Sequence, residues 1–123
     1  MSKVKVSIWG REFELGVSYQ NFPGETITEN QRNTLSAVPS VDYDAAKTGV
    51  EGYIRKFFSA ELGNERLDNI FRFVMPKSVL ITRTEGTRVF AIMCNFKLDM
   101  EHGIAVIYED EQLKAVGPQD LIL

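Results

Sequence analysis

The stretch LDMEHG (98–103) holds the chain's one histidine, His102, with Asp99 three residues before it and Glu101 directly before it. An imidazole beside carboxylates can serve as a general base oriented by an acid, or join a set of metal ligands. The spacing argues against both. Sequential residues on a strand point to opposite faces, so Glu101 and His102 would not converge there. A metal site would need another ligand from elsewhere, and the chain has no second histidine and a single cysteine, Cys94. A turn accounts for more of the residues. Asp99 can accept hydrogen bonds from the backbone amides just after it, and Gly103 can take the left-handed conformation that restarts a strand at Ile104. Asp99, Glu101, His102 and Gly103 are therefore read as a structural hairpin turn. A partner-binding surface is the first alternative, and catalysis or metal binding by Asp99, Glu101 and His102 the second.

Other reactive groups offer less. Cys94 lies in VFAIMCNF (89–96), an apolar setting that favours a buried, inert thiol over a nucleophile, although a hairpin could bring it near His102. The chain has no G-x-S-x-G elbow and no glycine-rich phosphate loop, so neither hydrolase chemistry nor a bound cofactor is expected. Basic residues lie between aromatics in YIRKFF (53–58), a pattern also met in RNA binders. At helical spacing, however, Tyr53, Ile54, Phe57 and Phe58 fall on one core face, leaving Arg55 and Lys56 in solvent. Two surface features remain. Glu109, Asp110 and Glu111 form an acidic hairpin tip, which Glu25, Glu29, Asp42 and Asp44 would enlarge if the fold brought them near. Such a tip can protect a sheet edge, or steer the protein to a basic partner. Trp9 and Phe22 are candidate exposed aromatics, of the kind that anchor binding surfaces.

The elements that must position these residues follow from periodicity. VKVSIWGREFELGV (4–17) alternates apolar and polar residues around Gly10. A type II′ turn at Gly10–Arg11 would pair Ile8 with Phe13, Val6 with Leu15 and Val4 with Val17 on one apolar face. Lys3, Lys5, Ser7, Glu12, Glu14 and Ser18 would then share the wet face, with Trp9 beside the turn opposite Glu12. Thr28 and Gln31 have capping-box spacing for a helix over 29–37. Beyond Pro39, Tyr43, Ala46, Val50, Tyr53, Ile54, Phe57 and Phe58 give the apolar stripe of a helix over 41–59. Gly49 and Gly52 interrupt it at about 1 kcal/mol each, which either close approach to a neighbour or simple tolerance would explain. Residues 59–69 read as a polar connector, followed by strands at 70–75, 79–83, 88–97, 104–109 and 112–116. The strands at 88–97 and 104–109 are apolar on both faces, as buried central strands are. The expected fold is α+β, a mainly antiparallel sheet with an N-terminal β-hairpin and two helices packed on one face.

A chain of 123 residues with 44% hydrophobic and 25% charged residues is that of a single globular domain spanning 1–123. Its formal net charge of −3 disfavours general nucleic-acid binding, which draws on a basic surplus. The opening MSKVKVSIWG lacks the apolar core of a signal peptide. No apolar run approaches the roughly 20 residues of a membrane span, so a cytoplasmic protein without membrane contact is expected. An exposed sheet edge could support a dimer, although the sequence does not identify which edge.

One stretch carries a resemblance. FKLDMEHGIAVIYEDEQLKAVGPQD (96–120) resembles the W-D-x-E-H-G signature of a family of small bacterial domains of unknown function, with Asp99, Glu101, His102, Gly103, Gly117 and Asp120 at the matching positions. Leu98 stands where the family has tryptophan, a departure that bears on any aromatic-surface role for the motif. EFELGVSYQNFPGETITENQRNTL (12–35) extends the similarity into the N-terminal half. Some members of that family look like immunity proteins encoded beside polymorphic toxins. The resemblance thus implies a non-enzymatic module that binds a protein partner, a toxin or effector domain. Glu109, Asp110, Glu111 and Trp9 are its candidate contacts, and the competing reading is a small enzyme or metal-binding protein using the Asp99/Glu101/His102 turn.

Overall fold

In the computed structural model, which describes residues 2–123, six strands form one sheet in sequence order, β1 to β6. They are β1 Lys3–Ile8, β2 Arg11–Tyr19, β3 Val74–Ile81, β4 Val89–Phe96, β5 Ile104–Glu109 and β6 Gln112–Gly117. All neighbours are antiparallel except β2 and β3, which run parallel. A parallel pair cannot be closed by a hairpin and needs a long crossover. That crossover, residues 20–73, holds all three α-helices: α1 Glu29–Ala37, α2 Asp44–Phe57 and α3 Ser59–Leu62. The fold is the expected α+β, with a short third helix inside the expected polar connector.

Capping and periodicity set the helices. Thr28 Oγ1 accepts from the Gln31 backbone N–H, and the Gln31 side chain accepts from the Thr28 N–H, a complete capping box for α1. The α2 stripe buries Tyr43, Ala46, Val50 and Ile54 against the sheet. Burial of an aliphatic side chain such as Val50 or Ile54 stabilises by about 1.5–3 kcal/mol relative to exposure. α2 starts three residues later than the stripe suggested and ends two residues sooner. A 3₁₀ turn at Val38–Ser40 precedes it, and Phe58 caps it. Of the two glycines in α2, Gly49 sits where an added Cβ would lie 3.3 Å from Val116 Cγ2 of β6, so it permits close packing. Gly52 faces open space.

The N-terminal hairpin keeps its predicted apolar face but not its predicted register. Val6 pairs with Phe13 and Val4 with Leu15, one step of two residues from the expected pairing. A shift of two preserves which face each side chain occupies, so the hydrophobic pattern could not distinguish the registers. The turn decides. It lies at Trp9–Gly10, both with positive φ (51° and 82°), the signature of a type I′ turn. Trp9 therefore sits in the turn, half-buried, and not on the wet face opposite Glu12. Its left-handed backbone is held by the indole N–H donating to the Tyr43 carbonyl at 3.0 Å and by a ring contact with Phe71.

Two expected strands, 70–75 and 79–83, are one. Residues Ile70–Arg72 form a 3₁₀ turn, and β3 then runs unbroken from Val74 to Ile81 with Lys77 bulged out between Pro76 and Ser78. Proline has no N–H to donate, and a bulge is where a sheet tolerates it.

The helices cover one face of the sheet, where Val17, Val79, Ile92, Val106 and Val116 align across five strands. The opposite face is covered only in part. There Ala91, Met93, Ala105 and Ile107 form a second small core, packed by Ile122 and Ala115. Residues 118–123 lie across this face, with Ile122 O accepting from Gln20 Nε2 at 2.7 Å. β4 and β5 are thus buried on both sides.

One buried polar atom has no hydrogen-bond partner among the described residues, the Tyr108 hydroxyl. Its ring stacks on Phe90 at 5.3 Å and meets Tyr43 edge-on. Burial, with Asp42 nearby, pushes its pKa up to about 12. An unpaired buried hydroxyl costs about 1–3 kcal/mol in desolvation. Replacing Tyr108 with Phe should therefore leave the free energy of unfolding unchanged or raise it by about 1 kcal/mol, as read by urea denaturation. A loss of stability would show that the hydroxyl is engaged.

Candidate functional site

The β4–β5 connection adopts the turn that its residues suggest. After β4 the Asp99 N–H donates to Phe96 O, and Gly103 N–H donates to Asp99 O at 3.0 Å, closing one helical turn. Asp99 Oδ1 accepts from the His102 N–H at 3.3 Å. The carboxylate also meets His102 Nδ1, at 2.9 Å through Oδ2. That contact, together with the charges of Asp99, Glu101 and Asp120, raises the His102 pKa above its ordinary 6.5. Glu101 itself is exposed and makes no hydrogen bond to the imidazole. The one histidine is thus a protonatable cap on its own turn. Among the described residues, no group of three His, Cys, Asp or Glu side chains is placed to hold a metal ion.

Gly103 is the crowded point of the turn. Its φ is +60°, and an added Cβ would lie 2.5 Å from Gln119 Nε2 and 2.8 Å from the Cys94 carbonyl. Gln119 pins the turn from outside: its backbone N–H donates to His102 O and its side chain to Cys94 O, both at 3.0 Å. The turn, the end of β4 and the segment that crosses the back face are therefore one hydrogen-bonded unit. The Cys94 thiol takes no part in it. It is fully buried, and burial pushes its pKa up to about 12, so it stays protonated and inert while His102 remains half-exposed.

The acidic tip is built differently from a free anionic patch. Asp110 and Glu111 form the β5–β6 turn with φ of 48° and 67°. Arg88 grips Glu111 through two hydrogen bonds of 2.8 and 3.0 Å and lies 3.5 Å from Asp110. Its backbone N–H also donates to Asp110 Oδ1. Lys114 pairs with Glu109 at 3.1 Å. Three carboxylates thus face two cations, and most of the local charge is spent within the chain. Of the acids that could have enlarged the patch, Glu25 is paired with Arg83 at 3.4 Å.

A surface of another kind lies beside the histidine turn, and the helical periodicity did not mark it. Tyr53 is half-buried and its ring lies 5.7 Å from that of Phe58, close to the end of β4 from which the turn departs; desolvation, with the charge of Asp99, raises its pKa. Its ring lies 5.3 Å from Phe57. Phe57 was expected in the core but is 61% exposed, and Met100, inside the turn, is 65% exposed. Phe58, one residue on, takes the interior place, edge-on to Phe96 at 4.9 Å. Phe58 can do so because the helix ends at Phe57: its backbone has left the helical region (φ −129°), which turns its ring inward while Phe57 stays outside. Leu98, just before Asp99, packs against the main core. Phe22 is exposed as expected, at a distance in sequence from this surface.

A family model described as Domain of unknown function (DUF6985) matches residues 2–123. The chain belongs to this family. Neither a curated protein nor a solved structure matches it. Among the described residues no helix is long and apolar enough to cross a membrane.

Two outcomes test the turn. Gly103→Ala adds a methyl group where backbone and side chain already crowd, at a positive φ, and should destabilise the domain by more than about 2 kcal/mol in urea titrations. Tolerance of alanine would mean that the turn is not constrained as described. For His102, NMR titration should give a pKa above 6.5, and Asp99→Asn should return it toward that value. The sign follows from linkage. The pair's stabilisation is fully present below the unfolded imidazole pKa and is lost as pH rises through the higher folded one. An unchanged His102 pKa in the Asp99→Asn variant would remove Asp99 as the cause.

Proposed function

We propose that this domain is a protein-binding module whose contact surface is centred on Tyr53, Phe57 and Met100, beside the Asp99–His102 turn. The observation that carries this reading is the exposure of Phe57 and Met100, two large apolar side chains of a kind enriched at protein interfaces. Holding them in water forgoes the burial free energy that a partner would recover. Methionine adds a flexible, polarisable contact, and the half-buried Tyr53 an amphipathic one. The turn beneath is rigidified by Asp99, Gly103 and Gln119, so the surface is preorganised and little ordering cost falls on binding.

The partner class is a toxin or effector domain, with this chain as its immunity protein. The overall charge of −3 and the acidic turn at Glu109, Asp110 and Glu111 support that class by favouring approach of a basic surface. Because Arg88 and Lys114 already engage those carboxylates, their role is in steering, while the apolar surface supplies affinity. Trp9 is tied inward by its bond to Tyr43 and is a structural anchor of the hairpin turn.

Affinity capture with the wild-type chain and with a Phe57→Ser/Met100→Ser variant tests the reading. A stoichiometric partner recovered by the wild type should be lost, or bound at least about tenfold more weakly, by the variant. Charge reversal at residues 109–111 should chiefly slow association at low salt. Equal recovery by wild type and double variant would move the interface elsewhere.

A further inference from the structure

The sheet is open and has two edges that differ. On β6, Lys114 is bulged between the pairs Ile107–Ala115 and Tyr108–Leu113, which kinks the strand and blunts that edge. β1 is regular through all six of its pairs with β2. The two-residue turn makes Ile8–Arg11 a hydrogen-bonded pair, so Val6–Phe13 and Val4–Leu15 are bonded too. This alternation continues to the Val17 N–H, which donates to Ser2 O. The amide and carbonyl groups of Lys3, Lys5 and Ser7 must then point away from β2. None of them has a partner among the described residues.

Side-chain charges along the same hairpin are only half matched. Lys3 pairs with Glu14 at 3.8 Å. Lys5 and Glu12, both exposed on the same wet face, have no ion partner within 4.0 Å among the described residues. We infer that β1 is the self-association edge of this protein, pairing antiparallel with β1 of a second copy about a two-fold axis at Val6. In that register Lys5 stands opposite the partner's Ser7, Val6 opposite the partner's Val6, and Val4 opposite the partner's Ile8. The outward backbone groups of Lys5 and Ser7 bond across the axis in both directions. The neighbouring registers centred on Lys5 or Val4 set lysine against lysine, which like-charge repulsion disfavours.

The register also resolves the unpaired charges. Beyond the partner's Ser7 lies the partner's Glu12, two strands and about 10 Å from the Lys5 backbone. Serine is short enough for the lysine side chain to pass over it to that carboxylate. On the apolar face the Phe13–Val6 row continues into its own copy across the axis. Two six-stranded sheets become one continuous sheet, with the β6 edges outermost.

Sedimentation velocity on the full chain, at low salt and up to about 100 μM, tests this. A reversible monomer–dimer equilibrium is expected. Ser7→Pro removes an outward N–H without touching the β1–β2 ladder and should give a folded monomer. Lys5→Glu and Glu12→Lys should each weaken the dimer about tenfold, and the two together should restore it. The charge exchange answers the question even if the proline variant fails to fold. A monomer at every concentration, a dimer that survives Ser7→Pro, or charge variants without loss and recovery would overturn the proposal.

Discussion

The parallel pairing of β2 with β3 is the constraint on which the rest of this structure depends. Every other pair of neighbouring strands is antiparallel and can be joined by a short connection. This one cannot, because parallel neighbours must start at the same end of the sheet. The chain answers with a crossover, residues 20–73, that carries every α-helix and lays them over one face. The helical face is thereby settled by the crossover. β1 and β6 are left as the edges, and among the described residues no α-helix covers the far face of the sheet.

That uncovered face explains the C-terminal segment. Ala91, Met93, Ala105 and Ile107 could not stay in water as a contiguous apolar strip, and residues 118–123 turn back across them. The same segment supplies Gln119, whose two hydrogen bonds reach the His102 and Cys94 carbonyls. The histidine turn is thus rigid because the back face needed covering. Gly103 is the meeting point, where strand end, turn and crossing segment leave no room for a side chain. The turn is an architectural joint, with the imidazole of His102 held by Asp99 on its outer side.

The surface chemistry follows from the same geometry. Carboxylates at the β5–β6 turn face Arg88 because the β4 and β5 ends are neighbours, so a sequence cluster of three acids becomes an internal ion network. The C-terminal end of α2 packs on the end of β4 through Phe58 and Phe96, and the choice of Phe58 over Phe57 for the interior leaves Phe57 exposed, as Met100 is in the turn that follows β4. The apolar character of that surface arises from two segments far apart in sequence.

By itself the sequence determined the elements and their faces. The capping box at Thr28, the stripe of α2, the alternation of the first hairpin and the doubly apolar β4 and β5 each express a local period or a local hydrogen bond, and local physics is written in adjacent residues. The Asp99–Gly103 turn was legible for the same reason. Tertiary structure alone decided the rest. The hairpin register shifted by two because both registers bury the same side chains, and only the indole bond to Tyr43 and the Phe71 contact stabilise a tryptophan at positive φ. The merging of two strands into β3 depended on the bulge at Lys77, which lets the sheet tolerate Pro76 beside it. The fate of the acidic tip, of Phe57 and of Met100 depended on which distant residues came to lie beside them. Charge pairing and burial are properties of neighbours in space, and a single sequence lists only neighbours along the chain.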